Sequence, residues 1–436
     1  MSPSARLSKP RFGRYALVFL YVATSLVLIA VPLVRELRGP PGKYDYPLWR
    51  WAGGQVLAGG DLYPADPHAW FAFLYPPFAA VLLAPLSLYG VAFLMLCIGL
   101  AYAASFGIAV KLSNRLAGES GAKPLWMMAL PAALALPVIW ENFNYGQPNL
   151  MLLAIMLAGL ALLSAGRQVS AGATFAFAAA LKAFPIAVLP YLLWRRRWRA
   201  AAGMVIFIAI FLLVVPAPFR GFERNLNETR TWFNAMALSA NSDGFGQRPE
   251  QNWSWKNNSL VAVTHRLLRP LNAEALDPAA KPFTVNLFDL NYEQANLVLL
   301  AIAGLIGLGF VAAMPPERRR TLKSDAAEYG VLISLMTISS PLARDYYFVW
   351  MLFPVTVLTY RAATDSSVKA RAIGWSLLAL AMGLFALRAP HPPPHWPQAY
   401  GSDLWASAVI IGALVWRMHR DAKAVETSLL PAPAAD

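Results

Sequence analysis

Residues 167–199 read RQVSAGATFAFAAALKAFPIAVLPYLLWRRRWR, and the way this stretch is threaded decides the fold. Its interior, 169–194, is apolar over a length that would cross a bilayer, yet Lys182 and Pro185 stand in the middle of it. A lysine and a proline at that depth are tolerated where the backbone is buried in protein, as in a re-entrant pair of half-helices. Charge gives a second argument. A single crossing would put Arg167 and the arginines of 195–199 on opposite sides of the membrane. A hairpin puts them on one side, as short basic inner loops require, and is the reading adopted.

Outward from this hairpin the chain is of membrane type throughout. Of its 436 residues 58% are hydrophobic and only 14% charged, against about 25% charged in soluble domains; mean hydropathy is +0.46. Apolar runs of roughly 20 residues, the length a bilayer core demands, recur from Tyr15 to Trp416. Spans are expected near 15–34, 89–111, 125–141, 148–165, 200–217, 295–314, 326–342, 345–361, 371–388 and 404–417. The fold class is therefore an all-α polytopic membrane protein with about ten transmembrane helices, plus re-entrant segments at 74–86, which contains Pro76, Pro77 and Pro85, and at 169–194. No small-residue cleavage site follows the first run, so it is read as a retained helix. Cys97 is the single cysteine and excludes a disulfide framework.

The formal charge of +14 would suit a nucleic-acid binder, but its distribution points elsewhere. Arg6, Lys9, Arg11 and Arg14 precede the first span. Lys111, Arg115, Lys123, Arg167, the arginines of 195–199, Arg318, Arg319, Arg320 and Lys323 fall in short segments of the same side. This is the positive-inside pattern. It predicts a multi-pass protein of the inner (plasma) membrane with both termini cytoplasmic, membrane lipids as its surroundings and no nucleic-acid partner.

Polar and aromatic residues gather on the other side. The first outer segment contains GKYDYPLWRWAGGQVLAGGDLYP, 42–64. Asp45 can cap a short interfacial helix that starts with Pro47 in its first turn and stops at Gly59-Gly60. Trp49 and Trp51 suit the membrane surface. Further outer segments are 140–149, 218–294, 339–347 and 388–403. The spans are nearly free of charge, Lys182 and Glu328 being exceptions. A transporter places its ionisable groups near the midplane, so this distribution favours an enzyme acting at the outer interface on a lipid-linked substrate. A transporter or flippase of a lipid-linked sugar is the alternative; no clear internal repeat supports it. A ligase with an undecaprenyl-diphosphate donor would share the outer active site and differ mainly in the leaving group.

Six short motifs occur in order: Asp45-Tyr46, Gly60-Asp61-Leu62-Tyr63, Phe73-x-Tyr75-Pro76-Pro77, Gly146-Gln147-x-Asn149, Lys182-x-x-Pro185 and Ser340-Pro341. The series resembles glycosyltransferase family 87, over about residues 15–360. Its members include polyprenyl-phosphate-mannose-dependent mannosyltransferases and related arabinofuranosyltransferases. The resemblance implies the integral-membrane C fold, a polyprenyl-phosphate sugar donor, a lipid or glycan acceptor and inversion at the anomeric carbon. It also implies a general base in the first outer loop, where Asp45 is the match. One departure stands out. Relatives commonly carry histidine after Ser-Pro, whereas this chain reads Leu342-Ala343-Arg344-Asp345-Tyr346-Tyr347.

The chemistry of such a transfer selects the remaining candidates. A positioned carboxylate must take the acceptor's proton, which makes Asp45 the first catalytic candidate and Asp61 the second. The leaving phosphate needs cations; Arg344, Lys256 and Lys182 are expected to supply them, with His391 and His395 as further outer candidates. Arg344 stands in for the missing histidine as a fixed cation, with Asp345 as its partner or as an alternative base. Tyr63, Tyr75, Gln147, Asn149, Asp345 and Trp253 are expected to bind substrate, although Gln147 and Asn149 could instead cap the helix that starts at 148. Asn257-Asn258-Ser259-Leu260, before an amphipathic helix at about 260–269, is expected to cover the site and help bind the acceptor. His68 and His265 have no recognisable partner. No metal-ligand spacing appears, and no cofactor is expected. Residues 1–420 are read as one domain, with loops 35–73 and 218–294 forming the site and 421–436 as a disordered cytoplasmic tail.

Overall fold

The structure, a computed structural model, describes residues 9–39, 44–64, 71–118, 124–238, 240–241, 244–245, 249–277, 279–389 and 392–429. It divides into two compact units, 1–112 with 121–236, and 113–120 with 237–436. Among the described residues it is helical apart from a two-residue hairpin, Ala240–Asn241 paired with Gly244–Phe245.

The first unit holds α1 (Lys9–Arg38), α2 (Tyr46–Ala58), α3 (Pro77–Ser87), most of α4 (Val91–Ala117), α5 (Leu125–Leu134), α6 (Leu136–Tyr145), α7 (Asn149–Ser164), α8 (Gln168–Leu181), α9 (Val188–Trp194), α10 (Trp198–Ala209), α11 (Ala217–Arg220) and α12 (Phe222–Phe233). The second holds α13 (Pro249–Asn252), α14 (Leu260–Leu268), α15 (Tyr292–Ala313), α16 (Leu322–Ser339), α17 (Leu352–Thr364), α18 (Val368–Ala386), α19 (Trp396–Ala399) and α20 (Ser402–Leu429). The expected tail is helical as far as Leu429, because α20 continues through it; residues 430–436 lie outside the described set.

Each of the ten expected spans coincides with helix. Among the described residues, five helical stretches are long and apolar enough to cross a membrane by themselves: Tyr15–Arg38, Val91–Ala117, Trp198–Arg220, Tyr292–Ala313 and Val368–Ala386. The expected span at 125–141 is a pair, α5 and α6, bent by 52°. Pro131 and Pro137 flank the bend, and a proline removes a backbone donor and crowds the preceding turn. The expected span at 345–361 begins as a 3₁₀ turn, Asp345–Met351, before α17. These breaks account for two of the expected spans that do not qualify as single helices; α7, with 16 residues, is a shorter apolar helix.

Both segments expected to be too short or broken are so. α3 has 11 residues. The run at 168–194 breaks at Lys182, passes through a 3₁₀ turn at Phe184–Ala187 and returns as α9. Neighbouring contacts fix its direction. A Cβ on Gly159 of α7 would meet the Phe175 ring of α8, and Lys182 reaches Asn149 at the far end, so α7 and α8 are antiparallel. The start of α8 lies on the start of α10, and further along Phe177 meets Phe211 with ring centroids 5.5 Å apart. α8 and α10 are therefore parallel, and Arg167 and the arginines of 195–199 stand at one end, as the hairpin reading requires. This close approach depends on glycine. A Cβ on Gly172 would lie 2.3 Å from the Ala200 carbonyl oxygen and 2.7 Å from the Met204 nitrogen, both backbone atoms. Gly172→Ala is expected to destabilise the unit by about 1–3 kcal/mol, the usual cost of overpacking; a lowered melting temperature in detergent would show it.

In the second unit α16 is buried on nearly all faces, Glu328 included. α14 is capped by Ser259, whose hydroxyl accepts from the Ala262 N–H at 3.1 Å.

Candidate active site

Four of the six motifs meet in the first unit. Gly146 ends α6 in the left-handed region at φ 70°, a conformation open to glycine at little cost. The Tyr46 ring lies 3.2 Å from where a Cβ of Gly146 would be. Its hydroxyl donates to the Phe143 carbonyl at 2.6 Å, and the Asp45 N–H donates to the Tyr145 carbonyl at 3.0 Å. Asn142, buried below, accepts from the Gln147 N–H through its backbone carbonyl at 2.9 Å and from the Leu150 N–H through its side chain at 3.3 Å. The turn at 146–149 is thereby stapled to the start of α2.

Asp45 holds the N-cap position of α2, but its side chain makes no capping hydrogen bond there, and its backbone is helical (φ −88°, ψ −5°) rather than extended. The expected cap is corrected: the half-buried carboxylate turns to Gln147, whose Nε2 donates to Oδ2 at 2.5 Å. The Tyr75 hydroxyl lies 3.4 Å from the other end of that amide, at Oε1. The first turn of α7 is capped from Asn142, whose Oδ1 accepts from the Leu150 N–H, while the Gln147 side chain goes to Asp45. Asn149 is fully buried and its Oδ1 accepts from Lys182 Nζ at 3.1 Å. The same ammonium sits 5.7 Å above the Tyr75 ring, which packs on Trp49 at 5.2 Å. Carboxylate, amide, phenol, amide and ammonium thus share one small region. Pro76, extended, and Pro77, first residue of α3, aim Tyr75 into it.

The Gly60-Asp61-Leu62-Tyr63 motif supports this region from behind. Tyr63 is buried and its hydroxyl donates to the Tyr75 carbonyl at 2.5 Å. Burial first, and Glu228 second, push that hydroxyl well above the ordinary tyrosine range against the pull of Arg220, so it stays a donor. Asp61 points away from Gln147 and Lys182: its exposed carboxylate pairs with Arg224 at 2.6 Å, a surface ion pair of small energetic weight.

Residues missed from sequence hold the loop in place. Arg220, fully buried, donates from Nε to Glu228 Oε2 at 3.0 Å, pairs through Nη2 with Oε1, and donates to the carbonyls of Gln55 at 3.3 Å and Gly60 at 2.8 Å. The Trp232 indole donates to the Leu74 carbonyl at 3.0 Å. A signal did exist: Glu228 and Trp232, four apart on a strongly amphipathic helix, share one face.

The other candidates belong to the second unit. Asn257 donates to the Pro341 carbonyl at 2.9 Å and accepts from the Ala343 N–H at 2.9 Å, while the Ser259 hydroxyl donates to the Pro341 carbonyl at 3.1 Å. The Asn-Asn-Ser and Ser-Pro motifs therefore brace one another. Arg344 lies 3.4 Å from Gln251 Oε1 and 5.7 Å above the Tyr346 ring. Asp345 opens the 3₁₀ turn, with Oδ1 buried and without a hydrogen-bond partner among the described residues. Lys256 sits over Trp255 at 5.2 Å. Trp253 is buried, stacked on His265 at 4.7 Å and covered by Arg269. Burial pushes the His265 pKa down to about 4, with the Asn296 hydrogen bond opposing and Arg269 adding to the fall. His395 is tied to Glu274 at 2.9 Å and stacked on Trp255 at 3.8 Å. His68 and His391 lie outside the described residues.

The model of "Glycosyltransferase family 87" matches residues 73–341. A polyprenol-phosphate-mannose-dependent alpha-(1-2)-phosphatidylinositol pentamannoside mannosyltransferase of Mycolicibacterium smegmatis is 26% identical over 355 residues, 79% of this chain and 72% of the relative. The protein of the same name from Mycobacterium tuberculosis is 27% identical over 71% of this chain and 63% of its own. An alpha-(1->6)-mannopyranosyltransferase A of M. tuberculosis is 27% identical over 54% and 42%. The chain thus spans less than two-thirds of the latter two. Among solved structures, ArnT from Cupriavidus metallidurans bound to undecaprenyl phosphate aligns with TM-score 0.43 and 15% identity over 95% of this chain and 79% of that one.

Proposed function

The chain belongs to glycosyltransferase family 87, and on that premise we propose that it moves a sugar, of the mannose or arabinofuranose class, from a polyprenyl-phosphate donor to a hydroxyl of a lipid or glycan acceptor. We place the reaction at the outer face of the inner membrane, with inversion at the anomeric carbon. Similarity to the two polyprenol-phosphate-mannose-dependent mannosyltransferases supports the donor, and the five apolar helical stretches support a multi-pass membrane enzyme. One observation carries the assignment of the site: Asp45 is held by Gln147 within the cluster that also contains Tyr75, Asn149 and Lys182.

The acceptor oxygen attacks the anomeric carbon while the bond from that carbon to the phosphate oxygen breaks. The electron pair leaves with the polyprenyl phosphate, and the acceptor proton passes to Asp45. Gln147, donating to Oδ2, holds the carboxylate in place for this transfer. The carboxylate also faces the positive charge that builds on the ring in an oxocarbenium-like transition state. Lys182, steadied by Asn149, supplies positive charge for the departing phosphate.

The test is transfer in vitro from a panel of polyprenyl-phosphate sugars, with the product anomer read by NMR. Transfer with inversion supports the reading. No transfer from any donor, together with movement of the lipid-linked sugar across vesicles, would sink it in favour of a flippase. Gln147→Leu is expected to lower kcat about 10- to 100-fold, the weight of a hydrogen bond to a charged group. It should also move the acidic limb of the pH–rate profile upward, because the lost bond favours the ionised carboxylate. A changed KM with unchanged kcat and profile would show that Gln147 only binds substrate.

A further inference from the structure

The end of the first unit remote from Asp45 has its own chemistry. α7 rises about 24 Å over its 16 residues, with Asn149 at the Asp45 end and the turn into α8 at the other. At that other end stand Arg167, which precedes α8, and the turn Trp194-Arg195-Arg196-Arg197-Trp198-Arg199 between α9 and α10. Arg167, Arg196 and Arg199 are exposed, and the two tryptophans are 58% and 60% exposed. Arg196 has φ 53°, the one non-glycine residue in the left-handed region among those described; a side chain held there is a locally costly arrangement. From residue 142 to residue 222 the sequence has no aspartate or glutamate, so the segment contains no acid to offset these charges. Asp45, Asp61 and Glu228, acids of the same unit, hold their contacts at the opposite end.

We propose that Arg167, Arg196 and Arg199, bracketed by Trp194 and Trp198, form a headgroup site for an anionic phospholipid. The guanidinium groups match a phosphodiester in charge and geometry. The parallel starts of α8 and α10 add the positive ends of two helix dipoles on the same side. The indoles decide between a lipid and a soluble anion. Two large exposed aromatic side chains beside the charges are at home at the level of the lipid carbonyls and glycerol. Around a water-soluble ligand they would remain exposed apolar surface. This site does not depend on the role given to Asp45.

The experiment uses the full chain in phosphatidylcholine nanodiscs with a minor fraction of phosphatidylglycerol. Lipid retention is read by native mass spectrometry, and stability by thermal unfolding. The wild type is expected to retain phosphatidylglycerol over phosphatidylcholine. The triple variant Arg167→Gln, Arg196→Gln, Arg199→Gln should retain it on the order of 100-fold less, the attraction expected of three basic residues at an anionic surface. Transfer activity in phosphatidylcholine should stay unchanged. If the triple variant does not fold, Arg199→Gln alone should weaken retention about 5-fold on the same basis. Equal retention by wild type and variants overturns the proposal. So does equal thermal protection by free glycerol 3-phosphate, which would show an anion site without a lipid.

Discussion

Asp45→Asn is expected to lower kcat for sugar transfer by about 10²- to 10⁴-fold, the usual contribution of a positioned general base. The substitution keeps the size and shape of the side chain. Its amide oxygen can still accept from Gln147 Nε2, which lies 2.5 Å from Oδ2 in the native protein, and the backbone bond from residue 45 to the Tyr145 carbonyl is untouched. Melting temperature and donor KM are therefore expected to stay close to wild type, and the loss should fall on the chemical step. Asp45→Glu is expected to be impaired as well, because one added methylene displaces the base from the acceptor hydroxyl. Initial rates with a polyprenyl-phosphate-mannose donor give the answer. An Asp45→Asn protein that keeps a tenth or more of the wild-type kcat would remove Asp45 as the base.

Much of this site could be read from sequence where its signals are local. The interfacial helix begins at Tyr46-Pro47 and stops at Gly59, φ 66°, as its proline and glycine foretold. The break at Lys182 and Pro185 followed from a charge and a helix breaker inside an apolar run. Side-chain pairing was not legible, because it depends on how distant segments meet. Asp45 reads as a cap in isolation, and only the approach of a residue 102 positions away turns its carboxylate outward from the helix. Asp61 resembled Asp45 in sequence, one acid among aromatics, but Arg224, 163 positions later, takes it to the surface. Trp253, expected to bind substrate, is buried and stacked on His265 of α14, a packing that its own sequence neighbours do not reveal. The bend between α5 and α6 was missed because hydropathy averages over the prolines that cause it.

Arg220→Ala is expected to cost about 3–5 kcal/mol of stability, the range for removing one partner of a buried ion pair. The native guanidinium is fully enclosed and Glu228 nearly so. Removing the cation leaves an ionised carboxylate in the protein interior, facing the Leu62 N–H at 3.5 Å and Arg224 at 3.6 Å. It also releases the carbonyls of Gln55 and Gly60 at the end of α2, where a cation is favoured by the helix dipole. Arg220→Lys should recover only part of this, since a point ammonium cannot reproduce the two-pronged bond to Glu228 together with both carbonyl contacts. The double change Arg220→Ala with Glu228→Gln should be milder than Arg220→Ala alone, because no buried charge is then left unpaired. Since α2 begins at the residue after Asp45, the single variant should also lose transfer activity at temperatures below its unfolding, through a loosened base. Thermal unfolding of the three proteins in detergent checks the order. Equal stability of wild type and Arg220→Ala would mean that the clamp does not hold the loop, and that the position of Asp45 rests on the turn at 146–149 alone.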